Sequence, residues 1–123
     1  ERWKNDLAPM AVDQHKPFLE IAPWLIIVCK RAFEYKQDGT KLNNYYVNES
    51  VGIACGMLIT AIHNAGLVTL THTPSPMKFL TKLLKRPDNE RAFLLLPVGY
   101  PKEPVYVPDL KRKPLDEVGV FYE

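Results

Sequence analysis

Cysteine is scarce in this 123-residue chain: Cys29 and Cys55 are the two it carries, and both fall inside apolar runs. Neither sits at a metal-ligand or redox spacing, so no disulfide framework is implied and buried thiols in a reducing compartment are expected. A large charge of either sign is missing as well. Sixteen Lys and Arg stand against fourteen Asp and Glu, and a net charge of +2 is too small to suggest a nucleic-acid surface. There is no internal repeat, no low-complexity tract, and no apolar run near the roughly 20 residues of a membrane-spanning helix. Nothing at the N-terminus resembles a signal peptide. The chain opens at Glu1 without an initiator methionine and reads as a fragment, so upstream targeting or anchoring sequence stays open. Localisation is open with it: cytoplasmic for a bacterial chain, membrane-anchored where upstream sequence carries an anchor.

What is present suffices for one modest core, burying roughly two-thirds of the surface exposed by the unfolded chain. Residues 1–7 read as helical or irregular, and Pro9, Pro17 and Pro23 punctuate the segment that follows. Residues 24–29, WLIIVC, form a continuous apolar run rich in branched side chains, which predicts a strand buried on both faces. From Arg31 to Tyr46 the chain turns polar around Asp38-Gly39, a loop or hairpin tip.

Residues 47–66, VNESVGIACGMLITAIHNAG, predict a helix with a polar start and Gly66 as its stop. No Asp, Glu, Lys or Arg occurs from Ser50 through Met77, so this helix is expected to be buried, centrally or between subunits. Gly52 and Gly56, four apart, share a face that a second backbone could approach, for core packing or for a dimer contact. The Asn48-Glu49-Ser50 glycosylation triplet coincides with the helix start and is discounted.

Next, LVTLTHTP alternates apolar and hydroxyl residues up to Pro74. Ser75-Pro76 is expected to cap a helix running to about Leu84, with Leu80, Leu83 and Leu84 on one side and Arg86-Pro87 ending it. Residues 92–98 predict a second buried strand bounded by Gly99. Strands alternating with helices imply an α+β or α/β domain.

Two places carry candidate chemistry. Thr71, His72 and Thr73 gather hydroxyls and backbone donors where an extended segment ends, which suits the polar edge of a flat heteroaromatic ring. Arg112, within LKRKP, has the side chain that pairs bidentately with phosphate.

The run LLLPVGYP at residues 94–101 and the stretch VPDLKRKPLDE at residues 107–117 resemble the C-terminal signature of the nitroreductase superfamily of flavoproteins and, within it, the iodotyrosine deiodinase branch. The resemblance covers nearly the whole chain, most densely from Ser50 to Asp116. It makes residues 1–123 the C-terminal portion of a single FMN-binding domain. It implies an α+β, nitroreductase-like fold: a mixed sheet with flanking helices and a central buried helix, assembled as an intertwined homodimer with FMN at the subunit interface.

By the same resemblance Thr71, His72 and Thr73 lie along the flavin ring, and the Thr73 hydroxyl bonds flavin N5 and favours one-electron chemistry. His72 stands where the vertebrate pattern has threonine, so a backbone contact is expected of it. Arg112 binds the FMN phosphate and Lys16 the substrate carboxylate. An arginine-rich phosphate cluster and a substrate lid lie, in the family, upstream of Glu1. The implied function is FMN-dependent reductive dehalogenation of halogenated tyrosines with NADPH or NADH, or a reductase, as electron donor. The alternatives are a general nitroreductase or quinone reductase working by hydride transfer, and a truncated, non-catalytic flavin-binding or dimerisation module. No metal, nucleic acid or membrane partner is indicated.

Overall fold

The computed structural model describes residues 14–122 together with Asn5, Leu7 and Ala8. The helical or irregular segment expected over residues 1–7 lies largely outside them. Lys16–Lys102 forms one compact unit, and the described residues of Glu1–His15 and Glu103–Glu123 form another.

The larger unit contains α1 (Phe18–Ile21), β1 (Trp24–Arg31), β2 (Phe33–Tyr35), β3 (Lys41–Asn43), α2 (Val47–Asn64), β4 (Val68–Thr69), α3 (Lys78–Leu83) and β5 (Glu90–Gly99). In the smaller unit α4 (Leu115–Val118) follows an irregular stretch. The sheet runs β1-β5-β4, and β2 and β3 pair separately as a hairpin. Every pairing among the described residues is antiparallel, because β1 and β4 both run against the strand between them; the expected mixed sheet is not found here.

The strand predicted from residues 92–98 is the centre of the fold. Its side chains supply two cores, and a register shift against β1 at Phe93 moves Ala92 to the face opposite Leu94. Leu94, Leu96 and Val98 pack with Cys55 and Ile62 of α2 on one face, while Ala92 and Leu95 pack with Leu80 of α3 on the other. A continuous apolar run is what a strand covered on both faces requires. Residues 24–29 also form a strand, but β1 is an edge strand. Trp24 is 72% exposed and the middle residues are half-buried; among the described residues β1 pairs on one side only, with β5.

Helix α2 ends with the Gly66 N–H on His63 O at 3.0 Å and the Leu67 N–H on Ile62 O at 3.2 Å. That closure places residue 66 at φ 74°, where glycine carries no Cβ penalty. The helix is not buried all round within this chain: Ile53 and Met57 are 68% and 70% exposed, and a Cβ on Gly52 or Gly56 would meet nothing within 4 Å. Charge-free sequence reports that water is disfavoured, not which body excludes it.

Helix α3 begins at Lys78, later than the Ser75-Pro76 cap predicts, and no side-chain cap bond is present at its start. Leu80 is buried, but Leu83 and Leu84 are exposed. At the other end of β5 a Cβ on Gly99 would lie 2.9 Å from Pro23 Cδ, so this glycine lets the entry to β1 close over the sheet.

Candidate functional site

The hydroxyl-rich segment continues the line of β4 along β5. Val68 pairs with Gly99, Thr69 with Val98, and His72 with Leu95 in the same register. The His72 N–H donates to Leu95 O and the Leu95 N–H to His72 O, each at 2.9 Å. In an antiparallel pair the next residues turn their backbone groups the other way. Thr71 and Thr73 therefore present N–H and C=O outward, at a sheet edge where no further strand is paired among the described residues. Both are exposed. The His72 N–H and C=O are thus paired with β5, and its two neighbours hold the outward-facing backbone.

Side chains alternate across the same segment. Thr69, Thr71 and Thr73 fall on one side; the Thr69 hydroxyl is buried with no hydrogen-bond partner among the described residues. On the other side the His72 ring meets Phe18 edge-on, centroids 6.0 Å apart at 87°. Burial first, and the positive charge of Lys16 second, push the His72 pKa below its usual range. Lys16 and His72 are thus electrostatic neighbours although 56 positions separate them in sequence.

The structure unites Lys16 with the Thr71–Thr73 segment through α1, whose Phe18 meets the His72 ring and whose Leu19 packs on the core around Leu80 and Leu95. Arg112 belongs to the smaller unit, exposed in the irregular stretch before α4. Phe18 was not singled out by sequence reasoning, and no motif marks it; the nearest signal is its place two residues after Lys16. It also lines an open, largely apolar cavity of about 510 Å³ together with Ile21, Val68, Leu70, Pro97 and Tyr100. Cys29 and Cys55 are free thiols with pKa values raised by burial, as expected of packing residues.

No family model matches the chain. Among curated proteins, the iodotyrosine deiodinase of Haliscomenobacter hydrossis is 63% identical over 120 residues, covering 98% of this chain and 54% of that protein. Over that span the chain is homologous to the iodotyrosine deiodinases. The iodotyrosine deiodinase of Nematostella vectensis is 48% identical over 122 residues, 98% of this chain and 46% of its own length. Human iodotyrosine deiodinase 1 is 47% identical over 122 residues, 97% and 42% respectively. The chain therefore spans about half the length of the deiodinases it matches.

A solved structure of oxidized iodotyrosine deiodinase bound to FMN and 3-iodo-L-tyrosine superposes with a TM-score of 0.74 at 33% identity, covering all of this chain and 59% of that one. An FMN-containing oxidoreductase superposes with a TM-score of 0.65 at 20% identity, covering 78% and 52%, and shares the fold alone. The α+β architecture is that of the FMN nitroreductase fold. No helix among the described residues is long and apolar enough to cross a membrane.

Proposed function

We propose that this chain, the C-terminal portion of a single FMN-binding domain, serves in its full-length protein as an FMN-dependent reductive deiodinase of halogenated tyrosines. The identity of 63% to a deiodinase, sustained along 98% of the chain, carries the reading. The residues present fit the cofactor. Outward N–H groups and hydroxyls of Thr71 and Thr73 form a flat, exposed row of donors of the kind a heteroaromatic ring edge accepts, with Lys16 close by on the other side of the strand.

In this reading Thr73 donates its hydroxyl to the flavin ring nitrogen N5, Thr71 holds the ring edge, and His72 anchors both to β5 while keeping a neutral side chain beside Lys16. Lys16 takes the substrate carboxylate, and Arg112 takes the cofactor phosphate as a bidentate donor. The flavin, when bound, supplies the electrons. Replacing the carbon–iodine bond by carbon–hydrogen consumes two electrons and one proton and releases iodide, with NADPH or NADH restoring the electrons. The exposed face of α2, centred on Gly52, Ile53, Gly56 and Met57, is the surface through which two copies form the homodimer.

Iodide release from diiodotyrosine by the full-length protein, under anaerobic dithionite with added FMN, tests the reading. Stoichiometric iodide with recovery of tyrosine is expected. Absent iodide with the flavin bound and reducible would replace it by nitroaromatic or quinone reduction. A folded protein that retains no FMN would replace it by a non-catalytic module.

A further inference from the structure

We propose that the depression between α3, the β2–β3 hairpin and the N-terminal end of β5 is a binding site for a small polyvalent anion of the phosphate class. None of the residues of the Thr71–Thr73 edge lines it. Two adjoining cavities of about 330 and 360 Å³ share Lys78, Thr81 and Arg91; Lys30 adds to the first, and Lys41, Lys82 and Arg86 to the second.

Charge is concentrated here. The two cavities are lined by Lys30, Lys41, Lys78, Lys82, Arg86 and Arg91 against the one carboxylate of Asp88. Two of the local arrangements are repulsive. Lys78 and Lys82 lie four apart on α3, and Lys30 stands directly across the strand pair from Arg91. Like charges in either geometry destabilise the element that carries them. An anion in the depression offsets both repulsions.

The local carboxylates do not already do so. Glu90 is taken by Arg86 at 2.7 Å and Arg31 at 3.7 Å, and Arg31 also holds Glu34 at 3.3 Å. Among the described residues no carboxylate lies within ion-pair distance of Lys41, Lys78, Lys82 or Arg91. The wall is firm: Phe33 is 2% exposed, with Lys41 Nζ 3.8 Å from its ring centroid and the Arg91 guanidinium at 5.9 Å. Thr81 Oγ1 accepts the Ala92 N–H at 3.4 Å, which leaves its O–H to donate to an anion.

Concavity favours a small ligand over a flat protein face, and the volumes are of small-molecule size. Four cations without a carboxylate partner among the described residues, and a hydroxyl, match several phosphate oxygens better than one carboxylate. Asp88 also lines the site; Tyr35 donates to one of its carboxylate oxygens at 3.1 Å, and the other can accept from sugar hydroxyls. Free polyphosphate and a nucleoside phosphate are therefore the two sources of the same chemistry.

The test titrates the full-length protein, as purified with its cofactor, with pyrophosphate by calorimetry at low ionic strength. Saturable binding to one site per chain is expected. Lys78→Ala with Lys82→Ala, and separately Arg91→Gln, should weaken it about tenfold or more, as loss of charged hydrogen bonds does. Lys36→Ala, outside the depression, and Arg112→Ala, a control for the flavin-phosphate position, should leave it unchanged. Absence of saturable binding overturns the proposal, as does equal weakening by either control. If the double lysine variant does not fold, Arg91→Gln decides. Tighter binding of ADP than of pyrophosphate assigns the site to a nucleotide, and equal affinity to the polyphosphate itself; either upholds it. Iodide release is not among the readouts, so this result stands apart from the deiodinase reading.

Discussion

His72 and Leu95 exchange both backbone hydrogen bonds at 2.9 Å, and this pairing decides which atoms of the Thr71–Thr73 segment remain for a ligand. It ties the segment to the most buried strand of the fold. The edge is held rigidly from behind while its outer side stays open.

Thr73→Ala should lower iodide release about tenfold, the effect of one hydrogen bond near the upper end of the usual range. Reduction of a nitroaromatic by the same variant should fall less. Parallel assays on one preparation check this, and equal loss of both activities would remove the role given to the Thr73 hydroxyl.

The His72 pKa is held below its ordinary 6.5 by burial and then by Lys16. Between the native and unfolded pKa values the unfolded chain binds more protons, so this group's contribution to stability is complete above about pH 6.5 and is lost as the pH falls below it. Urea unfolding at pH 7.5 and 5.5 should show a smaller drop for His72→Gln than for the parent. An unchanged drop would mean that His72 titrates alike in both states.

Leu96 is 0% exposed at the centre of β5. Truncation to alanine removes packed atoms facing α2, and a loss of about 2–5 kcal/mol in chemical unfolding is expected. Leu83→Ala, at a site 69% exposed, should cost far less. A comparable loss at both positions would contradict the placement of the core.

Gly56 has open space around it on the exposed face of α2. Arginine there relieves the helix of a poor helix former, worth about 1 kcal/mol relative to alanine, so the folded monomer is not weakened. If two copies meet across this face, Gly56→Arg should convert a dimer into a monomer in sedimentation velocity. A variant that stays dimeric would place the contact elsewhere.

Much of this could be read from local sequence. The run at residues 92–98 is apolar without alternation, and a strand covered on both faces needs such a run. Gly66 stops α2 because its C-terminal closure needs positive φ, and Asp38-Gly39 turns the hairpin with Gly39 at φ 80°. The motif LLLPVGYP with VPDLKRKPLDE pointed to the deiodinases through residues alone, and identity along the chain agrees.

Other features depend on which segments meet. Residues 24–29 are as apolar as the central strand, yet among the described residues β1 lies at the edge, because strand order is set by pairing between distant segments and not by composition. The proximity of Lys16 to His72 arises only when α1 folds over the sheet. The basic depression is likewise assembled from α3, the hairpin and β5, whose lysines and arginines are scattered along the chain. By itself the sequence determined the local periods, the stops and the family signature, since these depend on neighbouring residues. Tertiary structure alone decided which backbone groups of Thr71, His72 and Thr73 stay free, because each hydrogen bond His72 makes to Leu95 is one it cannot offer elsewhere.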